Sequence, residues 1–314
     1  MQTNPVIQAL LTPLSWVYGL ITGLRNYGFD KGLIKSYNPD IPVIVIGNLI
    51  AGGTGKTPVI AWLGREIGSR YRIAILSRGY GRKSHGFHLA DVHSAPETIG
   101  DEPLELKMLL PETLIAVDRN RKRGIQTLTS GLFGPIDLIL MDDGFQHRRI
   151  KPGYSIILDD AHRPMHTEKL LPAGLRRESL KSLERADMVV TTHVVPPPDM
   201  DVKSEDIILI TGIANPQPLV DRLSQTHHII RHLEFPDHHR YTTKDATFIS
   251  SLCPRAPVPL CPKILTTGKD FVKLRRFPEL RNLPIEWVPA DPGIRPEVKE
   301  QIINNILHYV EQNS

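Results

Sequence analysis

Between Gly52 and Thr57 the chain reads Gly-Gly-Thr-Gly-Lys-Thr, shortly after the apolar run Ile44-Val45-Ile46 and the linking Gly47-Asn48-Leu49-Ile50-Ala51. Glycines let the backbone turn its N–H groups inward around phosphate oxygens, and the start of the following helix adds positive potential. Lys56 can reach the outer phosphates and the Thr57 hydroxyl can ligate Mg2+. A strand, a Gly-rich turn and a helix start in this order read as a nucleotide site lined by Gly52, Gly53, Thr54, Gly55, Lys56 and Thr57. Ile50 stands where the common pattern has its first Gly. Ala51 stands where partition-type ATPases carry their signature Lys, which disfavours that family.

A second apolar run, Ile136 to Met141, ends in Asp142-Asp143-Gly144-Phe145-Gln146-His147. A buried strand that delivers an acid to the carboxyl edge of a sheet is the Walker-B arrangement, in which the carboxylate holds Mg2+ directly or through water. Two adjacent acids at a strand end point in different directions, so Asp142 and Asp143 are expected to do different jobs. Asp101, in Gly100-Asp101-Glu102-Pro103, reads equally well as a helix cap and as the acceptor of a proton from an attacking hydroxyl. Arg78, Arg82, Arg119, Arg121, Arg176 and Arg177 lie in loop-like segments from which one can stabilise a transferring phosphoryl group. The loop Phe235-Pro236-Asp237-His238-His239 concentrates ionisable groups, but no Cys or His spacing matches a zinc pattern; a single His tuning a carboxylate base is the better reading.

The elements that must position these groups alternate between short apolar runs and helical periods, the mark of a largely parallel sheet covered by helices. Strands are expected at 43–46, 72–76, 114–117, 136–141, 154–158, 188–191 and 207–210. Helices are expected at 56–67, 102–110, 120–129 and 178–186. Val194 to Asp201, with three consecutive prolines, reads as an extended connector. A second βα pattern follows, with elements at 215–223, 228–231, 244–251 and 263–265 and a closing amphipathic helix over 297–310. The fold class is therefore α/β, a P-loop NTPase-like sheet with a second, smaller α/β domain. The division is an N-terminal helix over 1–36, a P-loop kinase domain over 37–210 and a C-terminal domain over 211–314.

No charge occurs before Arg25. A signal peptide is disfavoured by the missing basic n-region, and a span by Gln8, Thr12, Pro13, Ser15 and Gly19. At helical period Gln8, Thr12, Ser15, Gly19, Thr22 and Asn26 form one narrow stripe, and the rest is largely apolar. Such a helix suits shallow insertion at a bilayer surface, with Trp16 and Tyr18 as interfacial rings and Arg25, Lys31 and Lys35 facing lipid phosphates. Packing of the helix on the protein's own core is the competing reading.

The ordered set Gly47-Asn48, Gly52 to Pro58, Ser77-Arg78-Gly79-Tyr80-Gly81-Arg82, Gly100-Asp101-Glu102-Pro103, Asp142 to His147, Pro172-Ala173-Gly174, Thr211 to Pro216 and Phe235 to His238 resembles the tetraacyldisaccharide 4'-kinase family of lipid A synthesis in Gram-negative bacteria. The resemblance covers nearly the whole chain. It implies transfer of the γ-phosphoryl group of ATP, with Mg2+, to the 4'-hydroxyl of a tetraacylated glucosamine disaccharide 1-phosphate, giving lipid IVA at the cytoplasmic face of the inner membrane. It implies Asp101 with His238 as the base, Asp142 and Asp143 near metal and phosphates, and Arg177 as the loop arginine with Arg176 as its rival. Lys56 completes the catalytic candidates; Asn48, Arg78, Tyr80, Arg119 and Gln146 are candidates for the acceptor, and Thr57, Asp142 and Glu102 for the metal. Thr267-Gly268-Lys269-Asp270 departs from the family's Thr-Glu-Lys-Asp, and no role is assigned to it. Because Asp101 and His238 fall in different domains, the site is expected in a cleft that closes on substrate.

The composition sets the outer bounds. Lys plus Arg number 38 against 34 Asp plus Glu, a net charge of +4 over 314 residues, which is no basic patch and argues against nucleic acid as a partner. The 40% hydrophobic and 23% charged content excludes disorder and a bundle of spans. Cys253 and Cys261 imply no disulfide framework and a reducing compartment, and a monomer is expected. The rival from another class is a membrane-associated P-loop ATPase acting as a partner-binding switch. The absent guanine motif Asn-Lys-x-Asp and an apolar N-terminal helix suited to a lipid substrate speak against it.

Overall fold

The computed structural model describes residues 5–52, 55–194, 205–253 and 261–313. Gly53, Thr54 and the Pro-rich connector expected at 194–201, beyond Val194, lie outside them.

Helix α1 (Pro5–Asp30) leads into a seven-stranded sheet of β1 (Val43–Asn48), β2 (Ile73–Ser77), β3 (His88–Leu89), β4 (Leu114–Val117), β5 (Leu138–Asp142), β6 (Tyr154–Asp160) and β7 (Met188–Thr192). Its order is β3-β4-β2-β5-β1-β6-β7, and among its pairings only that of β3 with β4 is antiparallel. The central strands are buried on both faces, which is why they read as unbroken apolar runs. Helices α2 (Lys56–Gly68), α3 (Pro96–Ile99), α4 (Asp101–Leu109) and α5 (Arg121–Leu128) flank this sheet.

The second sheet comprises β8 (Asp206–Thr211), β9 (His228–Glu234), β10 (Lys263–Thr267) and β11 (Ile285–Val288), all parallel, in the order β11-β10-β8-β9. With it go α6 (Gln217–Leu223), α7 (Thr243–Ser251) and α8 (Gly268–Leu274). The boundary expected at residue 210 falls inside β8, which belongs wholly to the second sheet. The closing helix α9 (Pro296–Asn313) returns to the first unit: Ile302, Ile306 and Val310 join the core that contains Ile60, Trp62 and Ile67. The two units therefore exchange chain twice, which ties the second sheet to the first at both of its ends.

Three further expectations are corrected. Residues 178–186 form no α-helix but a 3-10 turn at Leu180–Arg185. The amide of Arg177 donates 2.7 Å to the carbonyl of Leu49, and buried Glu178 pairs with Arg185, so tertiary contacts hold the start of this segment extended. Cys253 and Cys261, with Cα atoms 5.1 Å apart, are joined as a disulfide. The third concerns α1. Its polar stripe faces the protein: the Ser15 hydroxyl donates 3.0 Å to the carbonyl of Leu170 and accepts 3.0 Å from the amide of Ala173, while the carbonyl of Asn26 accepts from Arg148. Tyr18 and Arg25 also turn inward, to the carbonyls of Arg177 and Gln146, and are not outward anchors. The outward face is apolar, with Leu10 73%, Trp16 71% and Leu20 63% exposed. A helix packed in the ordinary way would bury these and expose Ser15.

Candidate active site

Adjacent strands β1 and β5 bring the phosphate loop and the acids together, because their register sets Ile46 beside Asp142. Gly47 permits this: a Cβ there would lie 2.7 Å from Cβ of Phe145 in the turn after the acids. Gly55 precedes α2 with φ 76°, a left-handed conformation natural to glycine. Lys56 and Thr57 open α2 with both side chains largely buried.

The two aspartates diverge. Asp142 continues the strand; its Oδ2 accepts 2.7 Å from the Ser77 hydroxyl and its carbonyl accepts 2.8 Å from Nη2 of Arg121. Asp143 takes φ 49° and swings to Lys56, at 3.5 Å, and Arg177, whose Nη1 lies 2.9 Å from both carboxylate oxygens. Burial and the neighbouring charge of Glu102 push Asp142 up to about 6. Burial alone would raise Asp143 as well, but Lys56 and Arg177 outweigh it and hold Asp143 below the usual carboxylate range. Arg177, and not Arg176, thus carries its guanidinium to the acids. Gln146 joins the same cluster, accepting 3.4 Å from Arg177 and donating 2.8 Å to the carbonyl of Asn48. Burial and surrounding arginines depress His147 to about 4, so its ring is neutral at pH 7.

On the far side of the cleft, Asp101 opens α4 after Gly100, and His238 sits in the loop after β9 with φ 56°. His238 Nδ1 stands 3.5 Å from Oδ2 of Asp101, across the two units. The Tyr80 ring, 69% exposed, lies 5.5 Å from that of His238. A cavity of about 460 Å3 opens here between Tyr80, Asp101, His238, Tyr241 and Lys273. Arg78 is exposed at the end of β2, and Arg119 donates 3.3 Å to the carbonyl of Arg82.

Two lysines escaped the sequence reading. Lys269 Nζ lies 2.6 Å from Glu102 and holds it at about 2 against the opposing effect of burial. Lys273 lies 3.6 Å from Asp101 and 3.1 Å from Asp270, and Asp270 accepts 2.7 Å from the amide of Gly212. The local signal was Thr267 three residues before Asp270, a helix cap whose next turn sets Lys269 and Lys273 on one face. Where the family pattern has Glu, Gly268 leaves room that Glu105 fills: a Cβ at 268 would lie 2.3 Å from Oε1 of Glu105. Burial pushes Glu105 up to about 7.

Thr57, Asp142 and Glu102 offer a hydroxyl and two carboxylates, hard oxygen donors of the kind Mg2+ takes alongside phosphate and water oxygens. The mutual repulsion of Glu102 and Asp142 is the charge pattern a divalent cation relieves. The residues present therefore fit such an ion. Among the described residues, no three His, Cys, Asp or Glu side chains form a separate metal cluster.

A family model described as tetraacyldisaccharide-1-P 4'-kinase matches residues 7–205 and 194–308. A tetraacyldisaccharide 4'-kinase of Phocaeicola vulgatus is 36% identical over 98% of this chain and 96% of that protein. One of Flavobacterium johnsoniae is 37% identical over 98% of each. A crystal structure of LpxK from Aquifex aeolicus in complex with ATP has a TM-score of 0.78 at 26% identity, covering 96% of this chain and 99% of that one. Relatives and fold agree over almost the full length, and the chain belongs to the tetraacyldisaccharide 4'-kinase family.

Proposed function

We propose that the protein transfers the γ-phosphoryl group of ATP to the 4'-hydroxyl of a tetraacylated glucosamine disaccharide 1-phosphate, forming lipid IVA. The observation that carries this reading is the approach of His238 to Asp101 across the two units, with the neighbouring Glu102 within electrostatic reach of both His238 and Lys56 of the phosphate loop. The ATP phosphates lie in the loop from Gly52 to Thr57, under Lys56. Thr57, Asp142 and Glu102 would hold Mg2+, which would neutralise phosphate charge. Asp101 accepts the proton of the 4'-hydroxyl while His238 orients the carboxylate. The oxygen–phosphorus bond to the sugar forms as the bond to the ADP oxygen breaks, and Lys56 and Arg177 balance the charge that develops on the leaving phosphate. Asp143, between those two cations, fixes their separation. Asn48, Arg78, Tyr80, Arg119 and Gln146 border the acceptor.

The apolar outer face of α1 seats the enzyme, as a monomer, on the cytoplasmic face of the inner membrane, where an acylated acceptor resides. Lys31 and Lys35, exposed in the segment just beyond its C-terminal end, meet the headgroups. The test is an assay with γ-labelled ATP and the disaccharide 1-phosphate lipid. Label in a chloroform-soluble product supports the reading, and label only in inorganic phosphate favours a nucleotide-driven switch.

A further inference from the structure

The inward face of α1 does more than pack. Three of its side chains, Ser15, Tyr18 and Arg25, hydrogen-bond the main chain of the two segments that carry the phosphate-site side chains. The Tyr18 hydroxyl donates 2.9 Å to the carbonyl of Arg177, the residue whose guanidinium grips Asp143. About two helical turns later, Nη2 of Arg25 donates 2.7 Å to the carbonyl of Gln146, whose side chain accepts from that same guanidinium. Arg25 also lies 3.8 Å from buried Glu178, the next residue in the Arg177 segment. Ser15 secures the loop's earlier part through Leu170 and Ala173. On its other side the segment is held by main-chain bonds from the amide of Arg177 to the carbonyl of Leu49, 2.7 Å, and from the amide of Ala51 to the carbonyl of Leu175, 2.8 Å. The backbone of Arg177 is thus clamped between the sheet that carries the phosphate loop and a helix whose outer face is apolar.

We infer that Tyr18 and Arg25 are positioning residues for phosphoryl transfer, holding Arg177 and Gln146 against Asp143, so that α1 scaffolds the phosphate site as well as meeting the bilayer. The physical basis is the steep dependence of charge stabilisation on placement: a guanidinium displaced by a fraction of its hydrogen-bond length loses much of its effect on a transferring phosphoryl group. The inference rests on the reading of Arg177 as the phosphate-site arginine.

The test measures kcat and the KM for ATP with detergent-dispersed acceptor lipid, so that bilayer binding drops out, for Tyr18→Phe, Arg25→Gln, Arg177→Ala and the double variant Tyr18→Phe/Arg177→Ala. Tyr18→Phe removes one oxygen, and kcat is expected to fall roughly three- to tenfold. Its KM for ATP and its thermal midpoint are expected to stay at the wild-type values. In the Arg177→Ala background the same substitution is expected to have no further effect, the mark of action through that residue. Wild-type kcat in both Tyr18→Phe and Arg25→Gln, with Arg177→Ala nearly inactive, overturns the positioning role and leaves the site reading intact. An equal loss from Tyr18→Phe with and without Arg177 overturns it too. Near-normal turnover by Arg177→Ala overturns the site reading itself, and the inference with it.

Discussion

Oδ2 of Asp101 and Nδ1 of His238 stand 3.5 Å apart, the first on a helix of the seven-stranded unit and the second in a loop of the four-stranded one. Any change in the angle between the units alters this distance. The proposed base is therefore assembled by the interface between the two units.

Asp101→Asn keeps the shape and removes the proton acceptor. We expect kcat to fall about 10²- to 10⁴-fold while the affinity for ATP, measured by calorimetry, stays near wild type. Turnover close to normal sinks the assignment.

Stability of the ligand-free protein depends on pH in two opposite ways. Glu105 and Asp142 are raised on folding to about 7 and about 6, so between their ordinary values and these the folded state binds more protons than the unfolded one. Their stabilisation is present in acid and is lost as pH climbs to about 7. Glu102, lowered to about 2, contributes above its ordinary value and is lost on acidification toward pH 2. His147, lowered to about 4, adds stability as pH rises toward 6.5 and opposes them, so the prediction concerns the difference in slope: between about pH 5 and pH 7 the urea midpoint of Glu105→Gln should fall less, or rise more, than that of the wild type. An unchanged slope in that variant refutes the account.

Lys269→Met strands Glu102 in a partly buried position between the units. The cost should be about 2–4 kcal/mol, and adding Glu102→Gln should recover a good part of it. Chemical denaturation of the three variants measures both, and an additive double variant contradicts the pairing.

The outward face of α1 gives the fourth expectation. Leu20→Ser with Leu24→Ser removes two exposed leucines, 63% and 62% exposed, without touching the inward stripe. Binding to anionic vesicles should weaken by roughly 10- to 100-fold, with kcat on detergent-dispersed acceptor unchanged. Undiminished sedimentation with vesicles would remove this face from the membrane surface.

Much of the site was legible along the chain because its parts are local. A phosphate loop is contiguous by nature, and the strands before it and before Asp142 are doubly buried, so they read as unbroken apolar runs. The division of labour between Asp142 and Asp143 was not legible, since it follows from a left-handed φ at Asp143 and from cations that arrive from α2 and from the Arg177 segment. Lys269 and Lys273 were missed for a related reason: a lysine on a short helix looks like solvated surface until another unit sets Glu102 and Asp101 beside it.

The N-terminal helix draws the line most clearly. Residue order alone determined its period, its one polar stripe and its lack of charge before Arg25, since these follow from spacing. Which way the stripe points is not a property of the helix. An amphipathic helix satisfies its own backbone in either orientation, and the choice depends on where partners for Ser15, Tyr18 and Arg25 lie. Those partners, Leu170, Arg177 and Gln146, are distant in sequence, and the tertiary structure alone brings them to one side, leaving the apolar face outward.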